Sequence, residues 1–179
     1  MQNIFIVIII FLSAIAQTSF LPNFFPNNMT PDVVLMLIII WTAKTNFNSA
    51  LVKTIFAGLI VDFFSFGVIG VNIFSFVVVS FMVDSLCKRF VVPQSGRKFF
   101  ILAIIIILGT IVNHIILAVF IKIIFSYNNF SWDNLGLLNW DIVLKPVYNL
   151  TIFMMLYLPL RKIDKFFTQQ NKIIAKNNV

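Results

Sequence analysis

The sequence predicts an all-α integral membrane protein with six transmembrane helices and a basic, amphipathic C-terminal tail. Three observations carry this reading. Hydrophobic residues make up 60% of the 179-residue chain and charged residues 11%, against about 45–50% and about 25% in ordinary soluble domains. The apolar stretches approach the roughly 20 residues that a helix needs to cross a hydrocarbon core of about 30 Å. The connections between those stretches alternate between basic and non-basic along the whole chain.

The first span is expected at residues 3–21. No Lys or Arg precedes Lys44, so the basic leader of a cleavable signal peptide is lacking, and the stretch reads as an uncleaved membrane helix. Pro22, Pro26, Asn23, Asn27 and Asn28 then mark a loop. The second span, 31–43, is short, and Pro31 suits a first helical turn, where no N–H is needed. The third is expected at 47–64 and the fourth at 70–87. The fifth, 99–125, is long enough to tilt or to extend beyond the core. The sixth covers 141–160. Residues 1–160 thus form a six-helix membrane domain and residues 161–179 a tail.

Orientation follows from charge. Lys44 and Lys53 lie around the second connection, Lys88, Arg89, Arg97 and Lys98 around the fourth, and Arg161, Lys162, Lys165, Lys172 and Lys176 in the tail. The other connections hold no basic residue. Basic connections face the cytoplasm, so both termini are expected inside, which requires an even number of spans. Lys122 and Lys145 remain near the outer ends of the fifth and sixth spans. Trp132 and Trp140 fall at the outer interface, with Trp41 and Tyr157 at the inner one, as an aromatic belt requires. The net charge of +7 fits anionic lipid headgroups better than nucleic acid in so apolar a chain.

The polar residues inside the spans are the candidates for a role. Gly58, Asp62 and Ser65 share one helix face, extended by Thr54. A small and polar stripe on an apolar helix is a packing surface, because small residues let backbones approach. Asp62 lies near the outer end of its span, where an unpaired charge costs several kcal/mol. Two readings stand: a buried pair, with Lys145 preferred over Lys122 and with Tyr148 and Asn149 one turn deeper, or a side chain that caps a helix or meets water at the interface. Gly109, Thr110, Asn113 and His114 form a second polar patch in the fifth span. His114 is the single histidine and Cys87 the single cysteine, so interhelical hydrogen bonding is a better reading of the patch than metal ligation. Asn72 is expected to cap the fourth helix.

No metalloprotease, serine-hydrolase or nucleotide-binding motif occurs. The six acids, all aspartate, are scattered, which speaks against paired-carboxylate chemistry and against an enzyme. Nothing calls for a cofactor. In the tail, Ile163, Phe166, Phe167, Ile173 and Ile174 fall on one helical arc and the five basic residues on the other, the pattern of a helix lying on an anionic membrane surface. A partner protein in the cytoplasm would suit the same face.

These residues resemble a known family. "PDVVLMLIIIW", with Pro31, Asp32 and Trp41, and "GLIVDFFSFGVIG", with Gly58, Asp62, Ser65 and Gly70, are similar to motifs of the rod shape-determining protein MreD family. The chain departs from that family's pattern in having Phe66, then Gly67, after the serine. The resemblance implies a fold similar to the substrate-binding S subunits of energy-coupling-factor importers. It also implies a non-enzymatic role in cell elongation beside an MreC-like scaffold, within the assembly that links MreB filaments to peptidoglycan synthesis by RodA and a class B penicillin-binding protein. The competing expectation is an importer S subunit, with Trp132, Asp133, Asn134, Trp140, Tyr148 and Asn149 lining an outward vitamin pocket.

Overall fold

The computed structural model describes residues 2–25, 30–65, 68–90, 98–125 and 143–155, which are helical apart from short turns and contain no strand. The helices are α1 (Gln2–Ile15), α2 (Val33–Lys44), α3 (Phe47–Phe64), α4 (Val71–Phe90), α5 (Lys98–Phe125) and α6 (Val143–Met155). Residues 126–142, which include the whole of the expected outer loop, and residues 156–179, which include the end of the expected sixth span and the tail, lie outside the described residues.

α1 does not stop cleanly. It widens into a π-turn over Ala16–Phe20 and tightens into a 3-10 turn over Leu21–Asn23. Two local causes sit side by side. Pro22 has no N–H to donate and its ring crowds the carbonyl four residues back. Thr18 turns its hydroxyl onto the Ala14 carbonyl at 2.9 Å, a back-bond that bends helices. The result is a continuous apolar segment, Ile6–Asn23, long enough to cross a membrane, as are α3, α4 and most of α5. α2 and α6 are shorter apolar helices. α2 begins two residues later than expected. Pro31 lies just outside the helix and Asp32 takes the N-cap position.

α2 is the hub. It packs against α1, α3, α4 and α5, and Val34, Leu35, Ile38 and Ile39 are fully buried there with Val79 and Val83 of α4 and Ile105 and Ile106 of α5. α6 joins through Phe153, whose ring stacks on Phe99 of α5 with centroids 5.8 Å apart. Large apolar side chains also cover the outside: Leu12, Val52, Phe63, Phe81, Phe100 and Ile123 are all more than half exposed. A surface of this kind suits lipid.

Two glycines set helix spacing. A Cβ on Gly58 would lie 2.6 Å from the Ile73 Cα and 2.8 Å from its nitrogen, so the backbones of α3 and α4 approach closely at this point. On Gly109 of α5 the Cβ would meet only side-chain tips, Ile39 Cδ1 at 3.0 Å and Val79 Cγ1 at 3.2 Å. The α3 packing stripe therefore faces α4, with Thr54, Gly58 and Asp62 buried on it and Ser65 exposed just past its end.

Candidate functional site

Asp62 is 2% exposed, and its carboxylate is fully engaged by the start of α4. Oδ2 accepts the Gly70 N–H at 2.7 Å and the Ile73 N–H at 3.4 Å. Oδ1 accepts the Asn72 N–H at 3.1 Å and the Asn72 side-chain amide at 2.8 Å. The first N–H groups of a helix have no partner within it, and they carry the positive end of the helix dipole. A carboxylate delivered from the preceding helix answers both demands. Gly70, at φ 103°, supplies the left-handed residue that turns the chain so that successive amides point at one acid. Ser65 tightens the same corner by donating to the Asp62 carbonyl at 3.3 Å.

This decides between the two readings of Asp62. Asp62 and Lys145 make no ion pair; the donors are the amides of α4. Of the two readings left open, the cap is the one observed. Asn72 takes part in the cap, through a donor to Asp62 rather than as an acceptor for its own helix.

A second polar cluster joins five elements. Asp32, 8% exposed, does not cap α2 with its own side chain. Other helices do so. Gln17, from the π-turn after α1, accepts the Val34 N–H at 3.1 Å and donates to Asp32 Oδ1 at 3.2 Å. Asn149 of α6 accepts the Asp32 N–H at 2.7 Å. The Asn149 amide donates to Thr110 of α5 at 2.9 Å. Asn113, one turn further along α5, reaches Asp32 Oδ2 at 3.5 Å and accepts the Ser75 hydroxyl of α4 at 2.5 Å. Gln17, Asp32, Ser75, Thr110, Asn113 and Asn149 are all buried. Towards the basic end of α2, Thr42 and Ser80 share a further hydrogen bond of 2.8 Å.

The structure thus unites Asp32, Asn113 and Asn149, three candidates that sequence reasoning had listed apart, and groups Gly58, Asp62, Gly70 and Asn72 at the neighbouring corner. Pro31 is buried beside Asp32. Its missing N–H suits a position where the chain enters the interior. Trp41 sits at the other end of α2, its ring 5.5 Å from Lys53 Nζ. His114 is half-buried next to Asn113, and Lys145 is half-buried one turn from Asn149. Gln17 and Ser75 were missed. A lone glutamine after an apolar run was the available signal, masked by the adjacent Thr18, Ser19 and Pro22, which together resemble an interfacial loop. Tyr148 packs edge-on against Phe25 at 5.2 Å. Trp132, Asp133, Asn134 and Trp140 lie outside the described residues.

Each member of the cluster makes at least one hydrogen bond to another element, and these bonds hold the helices together. Among the described residues no group of three or more His, Cys, Asp or Glu is placed to hold a metal ion. Fold and site define an all-helical protein with the apolar helices of a membrane protein and a buried polar framework. The match to known sequences is more particular. The model of the family described as rod shape-determining protein MreD matches residues 1–166, and the chain belongs to that family. No curated protein and no solved structure matches it.

Proposed function

We propose that this chain is a non-enzymatic component of the cell-elongation machinery in the bacterial cytoplasmic membrane. It crosses that membrane six times with both termini inside, and it acts with an MreC-like scaffold to regulate peptidoglycan synthesis. Contact with MreB, RodA and a class B penicillin-binding protein is indirect. The observation that carries this reading is the family match over residues 1–166, and membership of that family gives the chain its role in rod shape determination. The two buried polar sites support an architectural part for the candidate residues. Asp62 fixes the corner between α3 and α4, Asp32 fixes the entry of α2, and the outer surface is thereby held in one shape for a partner. The basic tail adds a hold on anionic lipid.

The importer reading gains no support from the site, since Asn149 is spent on Asp32 and Thr110 and is fully buried. The test is a tagged copy cross-linked in native membranes, with its partners identified by mass spectrometry, alongside depletion in living cells. An MreC-like scaffold among the partners and loss of rod shape are expected. Recovery of an ATPase pair with its coupling subunit, in cells that keep their shape on depletion, would overturn the proposal.

A further inference from the structure

α1 and α3 touch through Phe11 and Phe64, whose ring centroids lie 5.5 Å apart. Towards their N-terminal halves a groove of about 380 Å³ opens between them, lined by Val7 and Ile10 of α1 and by Ser49, Val52, Lys53 and Phe56 of α3, among others. The four α3 residues fall at i, i+3, i+4 and i+7, so they share one face. Val52 on the rim is 75% exposed, so the groove opens sideways, towards what would be lipid. It is apolar except at one level, where Lys53 enters with Ser49 one turn nearer the helix start. The ring of Trp41 steadies the ammonium at 5.5 Å, and Lys53 forms no ion pair among the described residues.

We propose that this groove holds one anionic phospholipid of the inner leaflet, an acyl chain along Val7, Ile10, Val52 and Phe56 and the phosphate on Lys53 and Ser49. The inference rests on the orientation proposed above, which places the start of α3 at the cytoplasmic face. Lys53 lies about 9 Å into α3, six residues at about 1.5 Å each, and a lysine at that depth extends its stem along apolar surface to bring its charge to the headgroups. Charge complementarity selects the occupant: an apolar slot ending in an ammonium with no acidic partner and a hydroxyl matches best a lipid whose phosphate is the only charge of its headgroup; a zwitterionic lipid brings its own cation beside the same phosphate, which weakens the pairing, and an apolar helix brings no counter-charge.

The full chain, extracted in mild detergent and exposed to equal amounts of phosphatidylglycerol and phosphatidylcholine, is read by native mass spectrometry. Retention of phosphatidylglycerol is expected to exceed that of phosphatidylcholine by about fivefold, as one basic residue at headgroup level gives. Lys53→Gln should abolish the preference and keep lipid bound. Val7→Trp, which fills the slot and leaves the lysine, should lose the bound lipid. An unchanged preference in both variants overturns the proposal. A photoreactive residue at Val52 in the otherwise parental chain reads the occupant without perturbing the fold. A lipid adduct supports the proposal, and a protein adduct in its place assigns the groove to a partner helix and refutes it. Recovery of the scaffold is a separate readout, so a failed lipid site and a failed shape-determination reading are distinguishable.

Discussion

Replacing Asp62 by alanine strips the start of α4 of its acceptor and leaves the N–H groups of Gly70, Asn72 and Ile73 facing a side chain that cannot answer them. Loss of a helix cap costs about 0.5–2 kcal/mol, and each donor stranded away from water adds about 1–3 kcal/mol before relaxation. Partial rehydration of the corner brings the expected total to about 3–5 kcal/mol. Asparagine keeps one acceptor for Asn72 but turns an amide donor towards Gly70, so Asp62→Asn should cost about 1–3 kcal/mol. At about 2–4 °C per kcal/mol for a chain of this size, the alanine variant should melt roughly 6–20 °C below the parent in mild detergent. The decisive measurement adds Lys145→Met. With the carboxylate bound by amides, the two substitutions should be additive within about 0.5 kcal/mol. If Lys145→Met restores the stability of Asp62→Asn, the carboxylate is paired with the lysine and the capping argument fails. A melting point for Asp62→Ala within 2 °C of the parent (about 1 kcal/mol or less) would refute it equally.

Three further outcomes are expected. Gly58→Ala should destabilise more than Gly109→Ala, since the first pushes a methyl into the Ile73 backbone and the second into movable side-chain tips; overpacking of the first kind costs about 1–3 kcal/mol, and equal melting points for the two would contradict the close approach of α3 and α4. Gln17→Leu should lower stability by about 1–3 kcal/mol, by stranding the Val34 amide and removing a donor from Asp32, and hydrogen exchange at the first turn of α2 should rise with it. Gly70→Ala meets no atom within 4 Å but must hold φ 103°, so a loss of about 1–2 kcal/mol from backbone strain alone is expected, read as a lower melting point with unchanged helix content by circular dichroism.

The helices were legible from hydropathy because length and punctuation define them. α3 occupies the residues read from sequence, and α5 begins one residue early. The packing was not legible in the same way. These helices are apolar on nearly every face, so periodicity cannot say which face is buried. Only the interruptions carried that information: Gly58 and Asp62 marked the side of α3 that meets α4, and Asn113 marked the interior side of α5. The choice of Lys145 in the paired reading of Asp62 has a clear cause. Depth along the membrane suggested a lysine from another helix, whereas the strongest donors at that depth were the unpaired backbone amides 8 to 11 residues further along the chain. The Asp32 cluster was hidden for a different reason. Its members come from five places in the sequence, each of them an ordinary polar residue in its own segment, and only the fold brings them together.

The cluster also bears on how the chain is built. α2 has 12 residues, about 18 Å of helix, too short to cross a hydrocarbon core of about 30 Å unaided. Its opening amides are satisfied by Gln17, already made when α2 emerges, and by Asn149, which lies 117 residues after Asp32. The entry of the second helix is therefore closed by the sixth. A chain stopped before α6 keeps the Asp32 carboxylate on Gln17 and Asn113 but leaves the Asp32 N–H, the first donor at the entry of its hub helix, without its acceptor. The entry of α2 is thus completed only when the last described helix is in place.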